Sequence, residues 1–573
     1  VETVSEIIST MKAVAPAGRR RLDDETLRQL RDLTQSLIAS KEGAATEHAR
    51  FLSIAERELC LPEAELADRL RDATVLVTGG TGCIGSTLMA QLAARCPGRL
   101  VSVSRGVTDD RPRHARAEYL YADVRDQAAM ADLIAGIKPD LVFHVAAQRD
   151  PGLAEVEVHR TVSTNVLGTR SVLTAAAQAG VPRVICASTG KALRPYSPDM
   201  YTASKRAAEW IASTVAVASD TVCTAGRFTH VLDNSIIYKR LLSWANEPED
   251  GIIRLHGTEI AFYVQSALES AQLLLLACLG SQRGESRVHA ISDLGWPVSL
   301  LDLALAVLAR SGSATPIYVS GYDRGYEEIP FPGLYDPLTA GDVSPLLNAF
   351  ETAAVVDSPC PMVDAFRVDV ASEHGTAKLL NALAEICDRT QDPDAVRGAL
   401  NELSWALLDA SLAAAPRQAL RRSAAMAQRH SHSLGADHRR VLEAIQDHAD
   451  PAASLAVRRA GSACRPPNRK KPPAESGRTL VFAANREKPG VSHSFGTGHG
   501  VAAQRSVAAR LGSPMDEPED SARQRCPTLT APDTKSARHE RKARSQRWPP
   551  LKRSMPGRSW IPVVTRLLRS RWH

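Results

Sequence analysis

The chain has 573 residues, 44% of them hydrophobic, with 10 cysteines and a formal net charge of +6. The charge is unevenly divided: residues 451–573 hold 25 of the 70 Lys+Arg and 8 of the 64 Asp+Glu, leaving residues 1–450 with 45 basic against 56 acidic side chains. This length accommodates several domains and a sizeable core, and it excludes a disulfide-stapled mini-protein.

The cysteines form no C-x-x-C pair, and Cys186 in an apolar run and Cys83 in a glycine loop suit reduced thiols. The opening "VETVSEIISTMK" lacks the basic-then-apolar layout of a signal peptide, and the longest apolar stretch, Ala271–Gly280, is too short to span a bilayer. The expectation is a cytoplasmic protein without a membrane partner.

Residues 1–70 read as amphipathic helix. Leu27, Leu30, Leu33 and Leu37 recur at helical spacing with charges between them, and no chemistry is visible there. A helical lid or an oligomerisation element is expected.

From Thr74 the period changes. "TVLVTGG", "LVSVSRG", "AEYLYADV", "PDLVFHVAA" and "PRVICAST" are short β-branched runs, and helical segments such as "STLMAQLAARC" separate several of them. Strands alternating with helices at this pitch predict βαβ units in an α/β, doubly wound parallel sheet. The expected domain spans residues 71–350, with a smaller substrate portion at about 225–350. Residues 351–450 return to helix. Residues 451–573 hold 14 of the 34 prolines and few apolar runs, a composition that predicts a disordered basic tail. Without interleaved aromatics or a fold motif, the tail gives no reason to expect nucleic-acid binding.

"VTGGTGCIG" follows the first of these strands and opens a helix. Gly79, Gly82 and Gly85 recur at a three-residue spacing: one for the turn, one for close approach of a pyrophosphate, one for packing of helix on strand. Cys83 and Ile84 complete the cofactor-binding loop, and the helix opening at about Ser86 offers unpaired N–H groups to phosphates at its N-terminus. This is a Rossmann-type dinucleotide site. The second strand ends at Ser104 and Arg105 with no carboxylate for a ribose hydroxyl, so NADP is favoured and NAD remains possible. Asp123 and Val124 are placed to meet the adenine, and Ala146 and Ala147 to let the backbone run beside the cofactor. His144 reads as a packed histidine.

Tyr201 and Lys205 lie one helical turn apart. A tyrosine hydroxyl has an ordinary pKa of about 10. A neighbouring ammonium lowers it, allowing proton exchange with a substrate hydroxyl or carbonyl while hydride moves to or from a nicotinamide. Thr189 or Ser188, closing the fifth strand, would hold the substrate oxygen. His430, His432 and His438 lie in a charged segment without an acid or cysteine framework, and a metal site is not expected there.

"VTGGTGCIG", "HVAA", "TNVLGT", "ASTGKALRP" and "YTASKRAAE" resemble the extended short-chain dehydrogenase/reductase superfamily, and within it the polysaccharide-biosynthesis branch that includes the UDP-N-acetylglucosamine 4,6-dehydratases. The resemblance covers roughly residues 70–350. It implies a tightly held nicotinamide cofactor, a nucleotide-sugar substrate oxidised transiently at C4, and a homodimer formed through helices like the one carrying Tyr201. On matching positions it implies Thr189, Tyr201, Lys205 and Lys191 as catalytic residues and Asn165 as a structural or proton-relay asparagine. Ser188, His230 and Arg324 would meet the substrate.

Three departures bear on the reaction. The dehydratase branch has Ser-Thr-Asp-Lys where this chain has Ser188-Thr189-Gly190-Lys191, so the acid for elimination is missing unless Asp199 supplies it. His230 replaces an expected asparagine, and the arginine that grips the nucleotide phosphates in the family is absent, with Arg324 as a stand-in. The reading is therefore an NAD(P)-dependent nucleotide-sugar epimerase or dehydratase-like enzyme. The alternatives are an NADPH-dependent carbonyl reductase acting on a non-nucleotide substrate, and a catalytically silent cofactor-sensing protein.

Overall fold

The computed structural model describes residues 3–95, 97–106, 113–246, 251–280, 282–323, 331–334, 343–368 and 374–451. The expectations for the basic tail beyond residue 451 and for Arg324 lie outside the described residues.

The centre of the molecule is a nine-stranded sheet. Its strands are β1 (Thr74–Thr78), β2 (Arg99–Ser104), β3 (Ala117–Tyr121), β4 (Leu141–His144), β5 (Arg183–Thr189), β6 (Val222–Phe228), β7 (Ser286–Ile291), β8 (Val355–Val356) and β9 (Val363–Arg367). They are arranged β8-β9-β7-β6-β5-β4-β1-β2-β3. From β3 to β7 every pairing is parallel, while β9 runs antiparallel to β7 and β8 antiparallel to β9. The order 3-2-1-4-5-6 is that of the Rossmann fold. It reverses direction between β1 and β4, and a crevice for ligands opens there at the carboxyl ends of the strands.

The sequence explains why these strands sit at the centre. Val75, Leu76 and Val77 of β1 and Val142 and Phe143 of β4 are fully buried on both faces, as near-continuous apolar runs must be in a parallel sheet covered on both sides. Leu88, Met89 and Leu92 of the helix Cys83–Ala94 pack into the same core at 0% exposure, each contributing about 1.5–3 kcal/mol of burial.

The N-terminal helices pack into a core of their own with later segments of the chain. Val4–Val14, Asp24–Ser40 and Ala44–Ser53 contribute Ile7, Met11, Leu30, Leu37 and Phe51 to a second core shared with Leu241, Ile253, Leu303 and Tyr318. The Tyr318 hydroxyl donates to Pro16 O at 2.9 Å. The Arg57 guanidinium forks onto Glu269, Nε to Oε1 at 3.0 Å and Nη2 to Oε2 at 3.1 Å. The N-terminal helices and the segments carrying Leu241, Ile253, Leu303 and Tyr318 therefore fold around one apolar centre.

The C-terminal helix Pro393–Ala414 lies along the helix Met200–Ala218, which carries Tyr201. Val396, Leu400, Leu403 and Leu407 join the main core, Arg206 Nη2 donates to Ser411 Oγ at 3.0 Å, and Tyr196 stacks on Trp405 at 3.8 Å. The chain's own helix thus packs on one face of the Tyr201 helix. Among the described residues no helix is long and apolar enough to cross a membrane, and the seven described cysteines are free thiols.

Candidate active site

β1 hands the chain directly to Gly79, whose φ of +73° is in the region that favours glycine. A Cβ on Gly79 would lie 2.8 Å from Ala146 Cα, so the loop presses against the segment following β4. Gly82 N donates to Gly79 O at 3.0 Å, and Ser86 N to Gly82 O at 2.8 Å, starting the helix Cys83–Ala94. A Cβ on Gly85 would overlap Gly79 O. The helix has no side-chain N-cap, so Cys83 and Ile84 open it with backbone N–H groups at the crevice. Gly80, to which the sequence reading gave no role, is equally constrained: its Cβ would strike Ser102 Oγ, a buried hydroxyl with no hydrogen-bond partner. The doublet Gly79-Gly80 is its signal in the sequence. The cradle fits a dinucleotide pyrophosphate.

At the adenine end Ser104 is half-buried and Arg105 exposed. Asp123 is bound by Arg125, Nη2 to Oδ2 at 2.6 Å. Burial opposes the Asp123 charge, but Arg125, with a smaller contribution from Arg105, holds its carboxyl below the usual range. Arg125 is a second cation here, and it was not anticipated. The Val124 side chain is buried against Gly168, where a Cβ would be 2.9 Å from Val124 Cγ2. Ala146 and Ala147 line the crevice beside Gly79, Ala146 half-buried and Ala147 exposed.

His144 is packed. Its Nδ1 pairs with Thr78 Oγ1 at 2.8 Å and its Nε2 with Thr169 Oγ1 at 3.1 Å, tying β1, β4 and the helix Gly168–Gln178 together. Burial first, and the Lys205 charge second, pull its pKa down to about 3, so the ring is neutral.

β5 ends at Thr189 and turns sharply through Gly190–Leu193. Thr189 lies near enough to the Tyr201 phenol to act on its ionisation. Burial pushes the Tyr201 phenol up to about 12; Thr189 and the cation Arg149 oppose that rise, and Asp199 adds to it. Lys205 does not lower it as expected. Its Nζ is held by Ala187 O at 2.6 Å, and its charge falls on Cys186 and Glu209. Asp199 N-caps the helix, accepting from Thr202 N at 2.7 Å, and its Oδ2 lies 3.5 Å from Lys191 Nζ.

Asn165 sits in the π-turn Ser163–Leu167 and binds the segment after β4 to the Tyr201 helix. Its Oδ1 accepts from Gln148 N at 2.8 Å, and its Nδ2 donates to Gln148 O at 2.9 Å and Ser204 Oγ at 3.0 Å.

Two expected substrate contacts are committed elsewhere. Ser188 Oγ donates to Glu209 Oε1 at 2.6 Å, away from Thr189, because successive strand residues face opposite sides of the sheet. Glu209 is gripped by Arg227 (Nε to Oε1 2.9 Å, Nη2 to Oε2 2.8 Å), which also donates to Glu351 Oε2 at 2.7 Å and Leu346 O at 2.9 Å. Arg227 is fully buried; burial disfavours its charge, yet the Glu209 and Glu351 carboxylates keep it firmly protonated. His230 Nε2 pairs with Ser235 Oγ at 2.6 Å, its ring lies 4.9 Å from Phe262, and burial lowers its pKa to about 4.

The position that sets this site apart is Gly190. A Cβ there would lie 2.7 Å from Leu346 Cδ2. Leu346 is 5% exposed and its carbonyl is anchored by Arg227, so an apolar side chain packs directly against Gly190.

Residues 75–328 match the family model described as polysaccharide biosynthesis protein. Over this segment the chain is similar to that family. The chain is 29% identical over 287 residues to the capsular polysaccharide biosynthesis protein CapD of Staphylococcus aureus, covering 47% of each chain. It is 32% identical over 148 residues to the UDP-N-acetylglucosamine 4,6-dehydratase (inverting) of Campylobacter jejuni, covering 24% of this chain and 41% of that one. The solved structure of MoeE5 in complex with UDP-glucose and NAD is 23% identical, with a TM-score of 0.38, over 44% of this chain and 86% of that one. The chain spans about half the length of CapD.

Proposed function

We propose that the chain is a nicotinamide-dependent nucleotide-sugar epimerase, one that oxidises and re-reduces a hydroxyl-bearing sugar carbon without eliminating water. The observation carrying this reading is Gly190 with Leu346 packed on it: the redox residues remain, and the acid needed for elimination is replaced by a methyl group.

The glycine cradle and the helix Cys83–Ala94 would hold the cofactor's pyrophosphate. A nicotinamide bound there supplies the hydride acceptor and donor. Arg105, with Arg125 near it, favours the additional phosphate of NADP over NAD, since no carboxylate closes β2. Thr189 orients the sugar hydroxyl towards Tyr201, which as the phenolate, a form that Thr189 and the Arg149 charge favour against burial, takes the hydroxyl proton during oxidation and as the phenol returns it during reduction. Asn165 fixes the backbone of Gln148 against the Tyr201 helix, keeping the two walls of the site in register.

The test is Tyr201→Phe. It should abolish interconversion of sugar epimers while leaving cofactor affinity unchanged, measured by chromatography of the nucleotide-sugars and by cofactor fluorescence. Retained epimerisation in this variant would overturn the assignment of Tyr201.

A further inference from the structure

The clamp made by Asn165 determines which side chain next enters the site. Gln148 N and O are held by the Asn165 amide, and Ser204, bonded to the same amide, donates to Tyr201 O at 2.8 Å. The residue that follows is Arg149. It is exposed, and its Nη1 reaches to 3.5 Å from Asn234 O, in the turn Leu232–Asn234 that follows β6. The guanidinium therefore lies between the loop after β4 and the loop after β6, close enough to Tyr201 for its charge to act on the phenol.

The charges around it are asymmetric. Lys191 extends from the Gly190–Leu193 turn with its side chain 31% exposed. The nearby carboxylates are turned to backbone: Asp150 accepts from Leu153 N at 3.1 Å, Asp199 from Thr202 N at 2.7 Å, and Asp233 from Ala267 N at 2.6 Å. Asp199 also meets Lys191 from a side chain only 4% exposed. Gly190 contributes no acid. The solvent-facing rim of the Tyr201 site thus presents the exposed Arg149 and the half-buried Lys191, the latter paired with Asp199, while the exposed Asp233 has one oxygen engaged by Ala267 N.

We infer that the substrate is a nucleotide-linked hexuronate whose C6 carboxylate is held by Arg149, with Lys191 beside it. The inference rests on the nucleotide-sugar reading above. A diphosphate is the other anion such a substrate carries, but it hangs from C1, across the ring from the carbon that Tyr201 serves. The C6 carboxylate lies two bonds from C4, beside the reacting hydroxyl, so a cation bordering the loops after β4 and β6, as Arg149 does, suits it better than it suits the diphosphate. A planar guanidinium suits a planar carboxylate, which it can engage through two parallel hydrogen bonds. The same carboxylate would be repelled by an aspartate at position 190, so the absence of an acid there and the presence of Arg149 act in the same direction.

The experiment is calorimetric titration of the full chain, saturated with NADP, against UDP-glucuronate, UDP-galacturonate, UDP-glucose, UDP-N-acetylglucosamine and UDP. The uronates should bind about tenfold or more tighter than the neutral sugars, the scale of one charge-assisted hydrogen bond. Arg149→Gln should reduce uronate affinity to that of UDP-glucose, with cofactor binding retained as the control for folding. Equal affinity for acidic and neutral sugars would overturn the inference. So would an Arg149→Gln variant that weakens UDP and every sugar alike, which would make Arg149 a diphosphate contact. Failure of all five probes to bind would instead overturn the nucleotide-sugar reading itself.

Discussion

Leu346 Cδ2 lies 2.7 Å from where a Cβ on Gly190 would be, and Arg227 holds the carbonyl of the same leucine at 2.9 Å. A side chain at position 190 and Leu346 in its present place are therefore mutually exclusive. Gly190→Asp should destabilise the fold by about 1–3 kcal/mol, the usual range for overpacking. Adding Leu346→Ala should relieve that strain, making the double variant less destabilised than the sum of the singles. Denaturant titrations of the four proteins measure the coupling. Strict additivity would show that Leu346 does not fill this space.

The buried group behind β5 should be among the most sensitive in the molecule. Arg227→Met leaves Glu209, 3% exposed, and Glu351, 8% exposed, without their principal cation. Breaking a buried pair from one side costs about 3–5 kcal/mol. The urea midpoint should fall accordingly, whereas Arg125→Met at the exposed rim should move it by no more than about 1 kcal/mol.

Acid stability should report on His144. Its folded pKa is depressed to about 3, against an ordinary value of 6.5. As pH falls below the ordinary value the unfolded chain takes up a proton that the folded chain refuses, so stability is complete above that pH. It then declines as pH approaches the folded value, by up to about 1.4 kcal/mol per pH unit. His144→Asn should remove that share of the slope in urea-unfolding free energies measured between about pH 4 and 6. An unchanged slope would show that His144 titrates normally.

Cofactor choice should follow the cations at the end of β2. Arg105→Glu should lower NADP affinity by about tenfold or more while leaving NAD affinity unchanged or improved, measured by fluorescence titration. An equal loss for both cofactors would place Arg105 outside the 2′-phosphate site.

The cofactor half was legible because its signals are local. A β-branched run followed by glycines states both the strand and the close approach, and the 3-2-1-4-5-6 order follows from right-handed crossovers. The substrate half depends on tertiary contacts. Gly190 announced a missing acid, but nothing near it in the sequence announces Leu346, which arrives from beyond β7. Ser188 and Thr189 are neighbours of similar chemistry, and only the alternation of a strand separates them, sending Ser188 to Glu209. Glu209 itself, one helical turn from Lys205, reads as a surface charge until Arg227 is placed against it. Lys205 illustrates the same limit: its spacing from Tyr201 is local, but the Ala187 carbonyl that captures its ammonium is not.

The account turns on hydride chemistry without elimination. The most direct measurement is incubation of the full chain with catalytic NADP and a panel of UDP-hexoses and UDP-hexuronates, followed by mass spectrometry and proton NMR of the sugar. The account predicts a mixture of epimers at one carbon, of unchanged mass, with no accumulation of reduced cofactor. A product lighter by one water would contradict it, because elimination would then proceed without a carboxylate at position 190.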